Sequence, residues 1–189
     1  MSLPEAGPIS ITESGMTFGP FPVDHLFYVE KSEIYQKLQD RVKIAEFALL
    51  RMDSGQPRSL WIVEAKSSAP QPATIPNFDE FLREICEKLV NAFNITLALS
   101  LGRHAEYAGD LPPLFKSLDL SSAGFRLILV INGHQTDWLP PLRDALVKLL
   151  RLTLITWDMT PLPVVVLNQE LAEQYGLILA STDASLNVS

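Results

Sequence analysis

A single cysteine, Cys86, in a chain of 189 residues excludes an internal disulfide, and with it the class of small secreted scaffolds held together by bridges. Long apolar runs are missing too. The purely apolar stretches are short, such as Leu127 to Ile131, against the roughly 20 residues needed to cross a bilayer. Met1 to Ser10 has neither a basic start nor an apolar centre, so no secretory signal is expected and a reducing cytoplasm is the default setting, with no membrane partner. Excess positive charge is absent as well: the formal net charge is −7, which argues against a broad basic surface for nucleic acid. The imbalance is uneven along the chain. Asp24 to Lys66 holds seven acidic and seven basic residues, so the acidic excess lies elsewhere. No phosphate-loop or dinucleotide motif occurs, and Ser67 and Ser68 lack the context of a serine nucleophile. His25, His104 and His134 are dispersed, without zinc spacing.

The composition that remains is globular, with 47% hydrophobic and 20% charged residues. The length suits one α/β domain. We place it over residues 23–180, between an irregular N-terminal arm at 1–22, extended around Ile9 to Thr12, and a polar tail at 181–189. His25 to Val29 predicts a short strand, and Ser32 predicts the N-cap of a helix over Glu33 to Gln39. Val42 to Met52 alternates as a strand does, and DSGQPR at Asp53 to Arg58 is turn chemistry. The result is an antiparallel hairpin with Ser59 to Ser67, in which paired residue numbers sum to about 110 or 111. Asn77 and Glu80 resemble a capping box opening a long amphipathic helix toward Arg103, with Cys86 packed on its apolar side. Phe125 to Ile131 reads as a strand covered on both sides. Asp137 then caps a second helix whose core stripe is Leu142, Leu146, Leu149 and Leu150, and Val164 to Leu167 forms a further strand before a short helix. Hairpin, helix, strand, helix and strand together predict one mixed sheet between helices.

The stretch LWIVEAKSS, Leu60 to Ser68, carries the chemistry. Side chains alternate along a strand, so Leu60, Ile62, Glu64 and Lys66 share one face. A row that starts in the core ends in two charges. An unpaired buried charge is very costly, so Glu64 and Lys66 need water, each other or a metal ion. The hairpin register sets Glu46 opposite Glu64 or Ala65. Two acids and a lysine on one face can attract a hard cation such as Mg²⁺ and hold a phosphate beside it. The plainer reading is a cross-strand charge cluster on a solvated edge.

Ala45-Glu46-Phe47 on one strand, then Trp61 to Ser68 on the next, then an amphipathic helix and a buried strand, resemble the PD-(D/E)XK nuclease superfamily over about Lys31 to Asn132. The resemblance implies a restriction-endonuclease-like fold and Mg²⁺-dependent hydrolysis of phosphodiesters, with DNA favoured over RNA and Mn²⁺ able to replace Mg²⁺. It implies Glu46 and Glu64 as metal ligands and Lys66 as catalytic base or electrostatic stabiliser. An additional acid would come from the first helix, with Glu33 the nearest candidate and Glu30 the second. The family usually has Asp, often after Pro, where this chain has Ala45-Glu46. The alternative is a catalytically inactive domain of the same fold, serving as a protein-binding or assembly module. A homodimer would enlarge the small surface available to a nucleic acid.

Overall fold

The structure, a computed structural model, describes residues 7–179. The tail at 181–189 and the first residues of the arm lie outside that range. The described chain is mixed α/β, with a five-stranded mixed sheet and a two-stranded antiparallel sheet. The larger sheet has the order β3(Leu26–Phe27), β4(Phe47–Asp53), β5(Gln56–Lys66), β6(Gly124–Ile131) and β7(Val164–Asn168). β3, β4 and β5 are antiparallel neighbours, whereas β5, β6 and β7 run parallel. Parallel neighbours need crossovers, and these are α2(Asn77–Ser100) and α3(Leu139–Thr156).

The β4–β5 register agrees with the turn-centred expectation. Phe47 pairs with Val63, Leu49 with Trp61 and Arg51 with Ser59, each summing to 110, before a bulge sets Met52 against Pro57. Pro57 has no N–H to give to the ladder, which fits an irregularity at that point. The strand is shorter at its start than the alternation from Val42 predicts. Ala45 N donates to the Lys88 carbonyl of α2 (3.2 Å), and Glu46 O accepts from Glu30 N (3.2 Å). These bonds take the chain out of the ladder, so β4 starts only at Phe47.

Leu60 and Ile62 of β5 face one apolar core with α2, α3 and the loop residues Leu111 and Phe115. Trp61, Val63 and Ala65 face a second core. That second core corrects the irregular arm. Residues 9–21 form a hairpin of β1(Ile9–Glu13) and β2(Met16–Phe21), joined through Ser14 and Gly15, both at positive φ. Ile11, Met16, Phe18 and Phe21 are buried against Phe47 and Leu49. The turn is fastened to the end of β6, because Asn132 Nδ2 donates to Ser14 O (3.1 Å). An added Cβ at Gly15 would come within 2.8 Å of that nitrogen.

Other boundaries moved for local reasons. The strand expected at His25 to Val29 shrinks to Leu26–Phe27 between 3₁₀ turns at Val23–His25 and Val29–Lys31. Ser32 caps α1(Glu33–Leu38) as expected, accepting from Tyr35 N. Asn77 is not a cap: α2 follows Pro76 without a side-chain cap bond, and Glu80 N donates to Pro76 O instead. Asp137 likewise caps nothing, since a 3₁₀ turn at Thr136–Trp138 leads into α3. α4(Gln169–Gln174) is capped by Asn168, whose Oδ1 accepts from Leu171 N (3.0 Å).

The buried hairpin is a structural part of the sheet. Phe18 is fully buried, edge-on to Phe47 at 5.4 Å between ring centroids. Phe18→Ala is expected to lower unfolding free energy by about 3–5 kcal/mol, read from urea denaturation; an unchanged midpoint would show that residues 9–21 contribute no core.

Candidate functional site

β5 is buried on both faces along most of its length, and its last buried even-numbered side chain is a carboxylate. Glu64 has no exposed surface. α2 answers this with Glu84 and Lys88, four residues apart and therefore on one helix face. Lys88 Nζ donates to Glu64 Oε1 at 2.8 Å, and Lys66 Nζ lies 3.3 Å from the same oxygen. Lys66 also donates to Glu84 Oε1 at 2.8 Å. Both ammoniums therefore serve one oxygen of Glu64. Its Oε2 is buried and has no hydrogen-bond partner.

Glu46 stands one residue before β4, outside the ladder that was to set it opposite Glu64 or Ala65; it is 7% exposed, and its Oε2 also lacks a partner. Three segments meet there. Glu13 from the end of β1, Glu30 from the 3₁₀ turn before α1 and Glu46 each offer a carboxylate oxygen, and these oxygens lie within 4.8 Å of one another. Tyr28 donates its hydroxyl to Glu13 Oε1, and Lys31 Nζ lies 3.4 Å from Glu30 Oε2. Of the two extra acids suggested for this site, Glu30 is brought in and Glu33 is left exposed at the start of α1. His134 lies elsewhere, its ring 5.4 Å from that of Trp138.

The electrostatics follow from this crowding. Burial pushes the Glu46 carboxyl up to about 8, reinforced by Glu64, Glu30 and Glu13 and opposed by Lys88. Burial also pushes Glu64 upward, against Lys88 and Lys66. Burial works to lower Lys88, but Glu64 outweighs it and holds the ammonium above its ordinary range. The Tyr28 phenol is raised by burial and by its bond to Glu13; Tyr35 is raised by burial and by Glu30. The bond from Lys66 holds Glu84 below the usual carboxylate range.

Sequence reasoning missed Glu13, Tyr28, Glu84 and Lys88. The spacing of Glu84 and Lys88 beside an apolar helix stripe was a usable signal. Glu13 carried none, because only the hairpin's fold brings it near. Comparison of the chain with protein-family models, curated proteins and solved structures returns no match in any of the three. No helix among the described residues is long and apolar enough to cross a membrane.

The sign of the Glu46 shift sets a pH dependence. With a folded value near 8 and an ordinary value of 4.5, the folded state keeps a proton that the unfolded chain has released. Stability contributed by Glu46 is therefore full below about pH 4.5 and is lost as pH rises through 8. Glu46→Gln, measured by denaturation in chelator, is expected to flatten this fall and to be more stable than wild type above pH 8 by a few kcal/mol. Parallel stability curves for the two proteins would sink the assignment.

Proposed function

We propose that the chain is a divalent-cation-dependent nuclease of PD-(D/E)XK type, built on a restriction-endonuclease-like sheet, which hydrolyses phosphodiesters with DNA as the favoured substrate. The observation that carries this reading is the pair of buried carboxylate oxygens, Glu46 Oε2 and Glu64 Oε2, that have no hydrogen-bond partner beside Lys66 and Lys88. The β4–β5 hairpin, the α2 crossover and the parallel strand β6 lend this reading support.

A hard cation suits carboxylate donors: oxygens of Glu13, Glu30 and Glu46 lie within 4.8 Å of one another, and Glu46 Oε2 and Glu64 Oε2 are each unsatisfied. Glu46 and Glu64 would hold it, with Glu30 as the additional acid. When bound, Mg²⁺ or Mn²⁺ supplies Lewis acidity toward water and toward a phosphate oxygen. Lys66 ends β5 and keeps 24% of its side chain exposed. There it can donate hydrogen bonds to an incoming phosphate or orient the attacking water. Glu84 positions it by accepting one of its three N–H bonds. Lys88 is more enclosed, with 18% of its side chain exposed, and holds Glu64 Oε1 in place. The folded core behind β5 and α2 keeps bulk water from the buried side of Glu64, which strengthens each of these interactions.

A second reading, a non-catalytic assembly module, is favoured by α3: Leu142, Leu146 and Leu150 are buried as expected, but Leu149 is not part of the core and is exposed with Leu152 and Ile155 at three-residue spacing, Leu152 to 79%. Plasmid and single-stranded DNA distinguish the two. Cleavage is expected in Mg²⁺ and not in chelator, and Lys66→Ala is expected to lower the rate by about 10²-fold or more. No cleavage of either substrate in Mg²⁺ or Mn²⁺, or full cleavage by Lys66→Ala and Glu64→Ala, would transfer the argument to the module.

A further inference from the structure

The N-terminal hairpin brings to the site one acid more than the proposed chemistry uses. We infer that Glu13, Glu30 and Glu46 form a divalent-cation site in which Glu13 is a ligand supplied by the hairpin, so that a hard cation such as Mg²⁺ or Mn²⁺ fastens residues 9–21 to the sheet. The inference rests on Glu46 being a metal ligand and extends that reading to an element outside the resemblance.

Three observations support it. First, the oxygens of the three acids lie within 4.8 Å of one another although their segments are far apart in the chain. Carboxylates repel, so such proximity is costly unless something positive lies between them. Second, Glu46 is more than nine-tenths buried and its Oε2 has no partner. A buried acceptor without a donor is rare and points to a missing ligand. Third, the local charges do not cancel. Lys31 is spent on Glu30, and Lys66 and Lys88 on Glu64. Among the described residues no ammonium or guanidinium nitrogen lies within 4.0 Å of Glu13 or Glu46, so neither has a cationic partner.

The chemistry of the donors narrows the ion. All are carboxylate oxygens, with neither imidazole nor thiolate in the group, which suits Mg²⁺ or Mn²⁺ and not Zn²⁺. The placement is firm. Tyr28 holds Oε1 of Glu13, and Asn132 anchors the turn that follows it. β1 therefore presents Glu13 from a docked hairpin and not from a free arm.

Calorimetric titration of the full chain with MnCl₂, with melting curves beside it, tests the inference. Glu13→Gln is the informative variant, because its amide oxygen still accepts from Tyr28 while the charge is gone. It is expected to weaken Mn²⁺ by about tenfold or more and to shrink the metal-induced rise in melting temperature. Without metal it should melt no lower than wild type, since one repelling charge has been removed. Equal Mn²⁺ affinity in Glu13→Gln and wild type, or no binding by wild type, overturns the inference. Nuclease activity separates it from the reading beneath. If cleavage depends on Glu64 while Glu13→Gln binds Mn²⁺ as wild type does, the function stands and this site falls. If Mn²⁺ binding depends on Glu13 while wild type cuts nothing, the site stands and the function falls.

Discussion

The structure turns on the desolvation of Glu64. A carboxylate carried by a central strand to zero exposure would by itself cost more than a small domain can spare, since moving a charge out of water costs several kcal/mol even after relaxation. The two ammoniums that offset it come from different elements, Lys66 from the same strand and Lys88 from α2. This requirement constrains the crossover helix. α2 must pass over the end of β5 with Lys88 inward, and Glu84, one turn earlier, then falls on Lys66. The same approach lets Ala45 N reach the Lys88 carbonyl, which ends the β4 ladder and leaves Glu46 just before the strand.

What could be seen in the sequence was what depends on local periodicity. The β4–β5 register follows from the turn at Ser54 and Gly55, both at positive φ; the pairs obey it from Phe47 to Arg51. β6 was legible because Leu127 to Ile131 is apolar throughout and ends buried on both sides. The candidate site was legible only on or beside those strands, at Glu64 and Lys66 of β5 and at Glu46 just before β4. Glu13 was hidden because the apolar residues of β1 and β2 are interrupted by Gly15, Gly19 and Pro20, a pattern that resembles loop composition. The caps failed for a related reason. Asn77 and Asp137 have the right chemistry, but the backbone N–H groups they would serve are taken by Pro76 O and by a 3₁₀ turn.

The two cores meet the site from opposite sides. One lies under α2 and α3 and encloses the hydrocarbon below Glu64; the other lies under β1 and β2 and carries Glu13. Glu46 sits where they join, between Ala45 in the first core and Phe47 in the second. A carboxylate at such a seam senses both layers, so the charges that raise it come from β5, from the 3₁₀ turn and from the hairpin together.

That arrangement is difficult to account for as a stability device. A sheet needs no acid at this seam, and two buried carboxylates each with an oxygen left unpartnered lower stability where apolar residues of similar size would raise it. The scaffold around them is stiff enough to bear the repulsion: Phe18 wedges against Phe47, Asn132 locks the hairpin turn, and Lys88 is drawn in by Glu64. Carboxylates crowded by a scaffold packed this way support the proposed cation-binding reading, because little reorganisation would be left for a ligand to drive.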